Sequence, residues 1–546
     1  MPTVTLNKTV FEELVGKKLS LDELKDRISM LGTDLESIED DKITVEIFPN
    51  RPDLLSEQGF ARAFSSFIGV KTGLRKYNVQ KSGHTVIVDR SVAMRPYTAC
   101  AIVKNLTFTD ERIREIMQMQ EKLATTHGRS RKKSAYGVYP LKNISFPITY
   151  IAKDPRTVMF QPLGFDKKIP ANQVEELHPT GQKFKHIASG WEKNPFFIDA
   201  KSNVMCMLPY TNSDDTGKVE LTTKEVFIEC TGNDFQNVTK ALNMFVTMFA
   251  EMGGQIYSLD IKYPDKIVTT PDLTAKRMKL DLSYINQRLG LSLSEKKAQE
   301  LLEKMGYGYE KGDVLIPSYR ADILHQVDLM EDIAIAYGYE NFEEVIPNVS
   351  TIGKEDPFDV FCRRVREILV GALLLEVKNY HLMMKDELRE KMDVSLEPVA
   401  LINALGEHNH LRNQVLPSLM KNLKDNQHHE YPQNLFEIGR AFTEGDSETG
   451  IIEREKLAVV LCHEKTDFTE LKQILDGLMS SLGLRVSIKE VSHSSFIEGR
   501  VGEMYVQGKN VGLIGELSPQ VIMNWSLAVP VVGMEMDLEE LFSFLK

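Results

Sequence analysis

Apolar residues recur at helical spacing in some stretches of the chain and alternate with polar residues in others. Helical spacing predicts an amphipathic helix, because side chains three and four positions apart share one face. Residues 235–252 carry such a stripe, formed by Val238, Ala241, Leu242, Phe245, Met248 and Phe249. Alternation predicts strands at residues 43–47, 85–89 and 99–103. Both patterns in one chain predict an α+β protein with several domains.

The order of the predicted elements divides the first part of the chain into three domains. Residues 1–75 are predicted to form an α/β module, and residues 76–265 a mixed α/β domain. Residues 268–345 are predicted to hold two helices and a β-hairpin, an arrangement typical of a winged helix. Ser292 and Glu295 have the spacing of a capping box at the start of its second helix.

The remaining domain, residues 350–546, follows a proline-containing linker. A helix is predicted after Asp356, and one of the predicted strands covers residues 399–402.

Composition and charge narrow the possible functions. Of 546 residues, 42% are hydrophobic and 26% charged, which is typical of a soluble globular protein. The formal net charge of −12 argues against a chain that coats nucleic acid, so any RNA contact is expected to be local. The five cysteines form no CxxC pair, which disfavours zinc and a disulfide framework and favours reduced thiols in cytoplasm. No signal peptide or membrane-spanning run is apparent.

Four carboxylates lie close together in the sequence around residue 328. Asp328, Glu331 and Asp332 are spaced to share one helix face, and Asp322 precedes them by a short turn. A Mg²⁺ ion, which prefers oxygen ligands, would relieve their repulsion. The alternative is a solvated acidic helix start, favoured by the helix dipole.

Two further polar segments are candidate binding surfaces. The loop over residues 127–139 carries Arg129, Arg131, Lys132 and Lys133, followed by Tyr136 and Tyr139. This composition suits phosphate binding and base stacking, but it is also that of a solvated charge run. Polar residues near 212–215 and 231–234 follow two predicted strands, where they would line a ligand pocket or simply form turns.

Several phrases carry a resemblance to a known family. The phrases are NRPDLLS at residues 50–56, the acidic helix with its YGY ending at 337–339, and FEIGRAF at 436–442. In this order they resemble the beta subunits of phenylalanine–tRNA ligase of the archaeal and eukaryotic type.

The resemblance implies a function for each region. It implies that Asp322, Asp328, Glu331 and Asp332 hold Mg²⁺, and that residues 76–265 form an editing domain that binds tRNA and hydrolyses mischarged tyrosyl-tRNA. A loose match to the family pattern places five residues in the editing pocket: Asn212, Ser213, Glu229, Thr231 and Asp234. An apolar pocket rejects an isostere with one added hydroxyl by only about a hundredfold, which explains the need for editing.

The resemblance also implies that residues 350–546 form a class II synthetase core with a large antiparallel sheet. The segment over residues 529–542 lacks the arginine that such a core uses for ATP, and Asp537, Glu539 and Glu540 would repel a triphosphate there. We therefore expect a catalytically silent copy.

The partners implied are an alpha subunit, in a complex of two alpha and two beta subunits, and the tRNA for phenylalanine. ATP is then a substrate used on alpha, and DNA binding is not expected. The alternative is a non-enzymatic RNA-binding or scaffold protein built on a dead synthetase core.

Overall fold

A computed structural model of the chain describes residues 2–545 and has the mixed α/β, multidomain character that the sequence predicts. The chain divides into two units, Met1–Ile346 and Pro347–Lys546. Within residues 2–545, no helix is both long enough and apolar enough to cross a lipid bilayer.

The first unit begins with a small antiparallel sheet and three helices. Its elements are β1 (Thr3–Asn7), α1 (Lys8–Val15), α2 (Leu21–Met30), β2 (Asp34–Glu39), β3 (Lys42–Glu46) and α3 (Glu57–Phe67). The strand order is β1-β3-β2. Ser20 caps α2, because its side chain accepts from the Glu23 amide, and Ser56 caps α3 by accepting from the Gly59 amide.

A large mixed sheet with helices follows in the same unit. Its elements are β4 (Val79–Val88), β5 (Tyr97–Lys104), α4 (Asp110–Thr125), β6 (Ser134–Pro140), β7 (Ile148–Lys153), β8 (Met159–Phe160), β9 (Ile169–Pro170), α5 (Val174–Leu177), α6 (Pro179–Phe184), β10 (Asn194–Ile198), β11 (Val204–Met207), β12 (Thr211–Asn212), α7 (Asp214–Gly217), β13 (Val226–Gly232), α8 (Phe235–Glu251), β14 (Gln255–Lys262) and β15 (Ile267–Thr270). The order is β12-β11-β10-β7-β4-β14-β5-β13-β6, with β15 on β14 and β8-β9 as a separate pair.

Strand β13 is the best buried strand of this sheet. It pairs antiparallel with β5 on one side and β6 on the other, and each of its residues is buried. Helix α8 packs on β13 and β5 through the stripe predicted from the sequence, whose six apolar side chains are all buried. Its apolar residues pack into cores on both faces, while Glu229 and Thr231 are buried polar residues of the same strand.

The first unit ends with a three-element sheet and helices. The elements are β16 (Lys276–Lys279), α9 (Leu282–Leu289), α10 (Glu295–Lys304), β17 (Gly308–Glu310), β18 (Asp313–Ile316) and α11 (Gln326–Tyr337). The predicted capping box at Ser292 is wrong. Ser294 caps α10, since its hydroxyl accepts from the Lys297 amide at 3.3 Å, and Glu295 binds the Tyr309 hydroxyl instead.

The second unit is built on a sheet with helices on both faces. The elements are α12 (Pro357–Gly371), β19 (Leu375–Glu376), β20 (Leu382–Met383), α13 (Lys385–Leu388), β21 (His410–Leu411), α14 (Leu416–Asp425), β22 (Gln433–Glu444), β23 (Ile451–Cys462), α15 (Phe468–Ser481), β24 (Val486–Glu490), β25 (Phe496–Val506), β26 (Lys509–Leu517), α16 (Pro519–Asn524), β27 (Val531–Asp537) and α17 (Leu538–Ser543). The order is β19-β22-β23-β27-β26-β25-β24, antiparallel except for β19 with β22. The strand predicted at 399–402 is wrong, since only an isolated bridge joins Ala400 to His410.

Candidate functional site

A cavity of about 500 Å³ lies beside β6, β12 and β13 in the large sheet. Its wall combines apolar and polar side chains, among them Ile116, Tyr136, Val138, Asn212 and Glu229. A mostly apolar concavity with a few polar groups is the usual form of a small-ligand site. Its volume is ample for one amino-acid side chain.

Glu229 is the buried polar group of this cavity. It lies in the middle of β13, opposite Cys100 on β5 and Gly137 on β6, and is 1% exposed. Its Oε1 accepts from the Tyr139 hydroxyl at 3.2 Å, while its Oε2 has no hydrogen-bond partner among residues 2–545. Burial raises the pKa of Glu229 to about 8, against the opposing effects of Arg95 and Tyr139. At neutral pH the carboxyl group is therefore mostly protonated.

Tyr139 connects Glu229 to Asn212. Its hydroxyl also donates to Asn212 Oδ1 at 3.0 Å, so the three side chains form one hydrogen-bonded group on the cavity wall. Space for this group depends on Gly137, since a Cβ there would lie 2.5 Å from the Tyr139 hydroxyl and 2.6 Å from Glu229 Oε1. Such distances are shorter than van der Waals contact, so only glycine fits at this position.

The other three pocket residues proposed from the sequence lie outside the cavity lining. Ser213 is buried, and its amide donates to the Met205 carbonyl at 2.7 Å. The Thr231 hydroxyl accepts from Arg95 Nε at 3.1 Å. Asp234 caps α8 by accepting from the Gln236 and Asn237 amides. The structure thus brings together Asn212 and Glu229, but not the full set of five.

The basic loop has two kinds of cation. Arg131 is turned inward, where its Nη1 donates to the carbonyls of Pro209 at 2.9 Å and Tyr210 at 2.7 Å. Lys133 pairs with Asp234 at 3.3 Å. Arg129 and Lys132 are exposed, on a loop whose neighbours Ser130 and Arg131 line the cavity. The exposed pair is therefore available to a polyanion at the cavity edge, while the other two cations stabilise the fold.

The four carboxylates near α11 face two different environments. Arg320 lies between Asp322 and Asp332, and its Nη2 is 2.7 Å from a carboxylate oxygen of each. Asp328 is on the outer side, where its Oδ2 accepts from the amides of Leu324 and His325. Glu331 is exposed, and its Oε1 accepts from the Tyr339 hydroxyl at 2.7 Å. The predicted helix places Asp328, Glu331 and Asp332 in α11, but their oxygens do not converge on one point.

This donor set fits a hard cation only in part. Asp322 and Asp332 already have a buried cation, so Arg320 performs the neutralisation that the sequence assigns to a metal. Asp328 and Glu331 each keep a second carboxylate oxygen, which is suitable chemistry for Mg²⁺. In the part of the chain that the structure describes, the group of three acidic side chains whose oxygens all lie within 4.8 Å of one another is Asp34, Glu36 and Glu46, and none of the four predicted ligands belongs to it.

In the second unit, the three acidic residues expected near a triphosphate site have partners. Asp537 caps α17. Glu539 pairs with Arg454 at 2.9 Å, and Glu540 pairs with Lys509 at 2.7 Å. Arg454 lines a cavity of about 770 Å³ together with Arg440, which pairs with Glu453. Both arginines of this cavity are thus held by carboxylates.

Sequence reasoning missed two residues that shape the first cavity. Arg95 lies 136 residues before Thr231 and donates to both its hydroxyl and its carbonyl. The other is Gly137, which lies between Tyr136 and Tyr139. A single glycine inside a strand pattern is a sequence signal for close packing, and this signal could have identified it.

Comparisons with known proteins agree along the chain. Residues 278–339 match the family described as the tRNA synthetase B5 domain, and residues 342–538 match the phenylalanyl tRNA synthetase beta chain CLM domain. The phenylalanine–tRNA ligase beta subunit of Pyrococcus abyssi is 40% identical over 99% of this chain and 100% of its own. That of Archaeoglobus fulgidus is 38% identical, over 99% of each chain.

A solved structure is also similar to this chain. It is an N-terminal fragment of the phenylalanyl-tRNA synthetase beta subunit from Pyrococcus horikoshii, 37% identical to this chain. The match covers 62% of this chain and 99% of the fragment, with a TM-score of 0.59.

Proposed function

The chain belongs to the family of phenylalanine–tRNA ligase beta subunits, and we propose that it supports attachment of L-phenylalanine to its tRNA and hydrolyses mischarged tyrosyl-tRNA. The ATP-dependent step takes place on an alpha subunit, in a complex of two alpha and two beta subunits in the cytoplasm. The similarity along the whole chain supports the first part of this proposal. The buried Glu229 in its cavity carries the second.

Within this proposal, each domain has a role. Residues 1–75 and 268–345 are structural modules, and residues 76–265 bind the end of the tRNA and proofread it. Residues 350–546 are a non-catalytic copy of the class II core. The lining of the cavity that holds Arg440 and Arg454 supports this last assignment, because its four glutamates outnumber the two arginines and would repel a triphosphate.

Glu229 would select tyrosine in the editing cavity. The tyrosine hydroxyl would pair with Glu229 Oε2, which lacks a partner, whereas phenylalanine would leave that oxygen unsatisfied. A buried polar group left unpaired costs about 1–3 kcal/mol, so such a site rejects the ligand that lacks the hydroxyl. Tyr139 and Asn212 hold the carboxyl group in place. Arg129 and Lys132 would contact phosphates of the tRNA.

The experiment is a deacylation assay on the reconstituted ligase. We expect Glu229→Ala to charge phenylalanine at the normal rate but to hydrolyse tyrosyl-tRNA at least about tenfold more slowly, the loss of one hydrogen bond to a buried partner. Asp234→Asn is the matched control, because asparagine also caps a helix and residue 234 lies outside the cavity lining. Unchanged hydrolysis by Glu229→Ala, or an equal loss in the control, would contradict the editing assignment.

For Mg²⁺, we propose that Asp328 and Glu331 bind the ion from the exposed side of α11. Asp322 and Asp332, which are held by Arg320, support this face without direct contact to the metal. Bound there, the ion supplies charge neutralisation for a structural role, away from ATP.

The alternative, a non-enzymatic RNA-binding or scaffold protein, makes a different prediction in purification. A ligase subunit is expected to co-purify with a near-equimolar alpha chain that carries intact class II motifs. Isolation without such a chain would favour the scaffold.

A further inference from the structure

A small cavity in the first unit is lined by the side chains of several arginines. It lies between the turn before α3 and the segment between β18 and α11, and its volume is about 10 Å³. Four arginines contribute to its wall: Arg51, Arg62, Arg75 and Arg320. Asp53 is the acidic residue of the lining. A cavity of this size holds one species about as large as a water molecule.

Arg320 presents an unpaired donor in this region. The residue is 3% exposed, and its Nε and Nη2 are directed to the carboxylates of Asp322 and Asp332. Its Nη1 is buried and has no hydrogen-bond partner within residues 2–545. Because the guanidinium is planar, Nη1 projects from the edge opposite the two carboxylates. A buried donor without a partner is costly, so a bound species is expected there.

The other arginines are only partly neutralised. Arg51 binds Asp53 through two hydrogen bonds of 2.9 Å. Arg62 stacks on the Tyr319 ring at 3.7 Å and donates to the Tyr77 hydroxyl, which in turn donates to Glu251. Arg51 and Arg320 repel each other.

The charges around the cavity favour a negative occupant. Outside the lining, Lys240 adds a cation whose ammonium donates to the Ser318 and Arg320 carbonyls, and Lys276 lies close enough to repel it. The facing carboxylates are Asp53, Asp322, Asp332 and Glu251. The lining itself holds four guanidinium groups against the one carboxylate of Asp53, so the side chains that face the cavity favour an anion.

We propose that this cavity is a structural site for one small monovalent anion such as chloride. Charge and donor type exclude a metal cation, and the volume excludes phosphate or a carboxylate ligand. The anion accepts from Arg320 Nη1 and joins the turn before α3 to the segment that leads into α11. Arg75, the least buried of the four arginines, closes the outer side.

The first test is thermal unfolding of the full-length chain in sodium chloride or sodium gluconate at equal ionic strength. We expect the melting temperature of the first transition to be higher in chloride by about 2 °C, with a saturable dependence on chloride. Arg75→Gln should shift the chloride midpoint to higher concentration, because it removes a cation of the cavity wall. Lys76→Gln, an exposed neighbour outside the lining, is the control and should behave like the wild type.

The second test locates the occupant. Crystals of the chain grown in sodium bromide should show an anomalous peak within hydrogen-bond distance of Arg320 Nη1. An ordered water without anomalous signal at that position would overturn the proposal, as would a chloride response that Arg75→Gln leaves unchanged. A bromide peak at Arg320 Nη1, together with a higher chloride midpoint in Arg75→Gln, would support the proposal.

Discussion

Glu57 begins α3 among other acidic groups. It is 8% exposed, and its Oε1 accepts from the Asn7 amide at 2.6 Å. Its own amide donates to the Glu115 carboxylate. Burial, and next the charge of Glu115, raise the pKa of Glu57 to about 7. The carboxyl group is therefore more easily ionised in the unfolded chain than in the folded one.

This shift predicts a pH-dependent effect of Glu57→Gln. Below about pH 4.5 the carboxyl group is protonated in both states, so ionisation costs the fold nothing. Between about pH 4.5 and 7 the unfolded chain releases this proton while the folded state keeps it, so stability falls as the pH rises through that window and stays at the lower level above it. We expect Glu57→Gln to raise the free energy of unfolding by about 2 kcal/mol at pH 8 and to have little effect at pH 5.

Denaturation of both proteins at the two pH values measures this effect. Glu13→Gln, an exposed glutamate nearby in the sequence, is the control. A gain that is equal at pH 5 and pH 8 would show that the charge of Glu57 is not the cause.

At the residue scale, the family match predicted more cavity residues than the structure brings together. The family match places Glu229 and Thr231 in one pocket, and the structure puts them two positions apart in β13, on one face of the sheet. Only Glu229 lines the cavity, because Arg95 occupies the space next to Thr231. Arg95 comes from a segment before β5, and no local pattern indicates which distant side chain will fill such a space.

At the element scale, helix faces were predictable and helix starts less so. Spacing alone gives the apolar face of α8 and the carboxylates of α11, since both follow from the helical repeat. The start of α10 differs because two serines, Ser292 and Ser294, both precede it. A glutamate three residues after Ser292 favoured Ser292 as the cap. In the structure the helix begins at Glu295, so the residue before it, Ser294, is the cap.

Helix α10 therefore distinguishes the two serines experimentally. Ser294→Ala removes the acceptor for the Lys297 amide and should destabilise the helix by about 1 kcal/mol, roughly a fivefold loss of protection. Ser292→Ala should stay within about 0.5 kcal/mol of wild type. Native-state hydrogen exchange of the α10 amides measures both. Equal losses would mean that Ser292 also contributes to the cap.

Helix α11 permits a test of the proposed Mg²⁺ site. Titration calorimetry on the chain with both Asp328→Asn and Glu331→Gln should show Mg²⁺ affinity reduced at least about tenfold, since direct oxygen ligands are lost. Glu343→Gln, an exposed glutamate beyond the helix, should bind like the wild type. The double variant should also bind an alpha subunit more weakly, while the KM for ATP of the assembled ligase should change little. Equal Mg²⁺ affinity in all three proteins would leave the carboxylates as a helix start stabilised by Arg320.

At the scale of the whole molecule, the second unit has the antiparallel sheet expected from the family resemblance, and the two arginines that line its 770 Å³ cavity, Arg440 and Arg454, are paired with glutamates. The sheet was predicted from the family resemblance, because pairing between strands as far apart as β23 and β27 leaves no local signal. The ion pairs of Arg440 with Glu453 and of Arg454 with Glu539 form only when the strands and α17 come together in the fold.

This arrangement predicts that the chain alone does not make phenylalanyl-adenylate. We expect pyrophosphate exchange with phenylalanine to be at background for the isolated chain and to appear on addition of an alpha subunit. The same preparation should retain hydrolysis of tyrosyl-tRNA, which shows that it is folded. Exchange by the isolated chain would contradict the assignment of residues 350–546 as silent.

The hydrogen-bonded group of Tyr139 has one proton for two acceptors, Glu229 Oε1 and Asn212 Oδ1. When Glu229 is protonated it can itself donate to the phenol, and Tyr139 then donates to Asn212 without competition. The two hydrogen bonds then have the same direction: Glu229 donates to Tyr139, and Tyr139 donates to Asn212. When Glu229 loses this proton, the hydrogen bond between Glu229 and Tyr139 reverses, and Tyr139 becomes the donor. A single proton therefore decides whether this side of the cavity offers a ligand a donor or an acceptor.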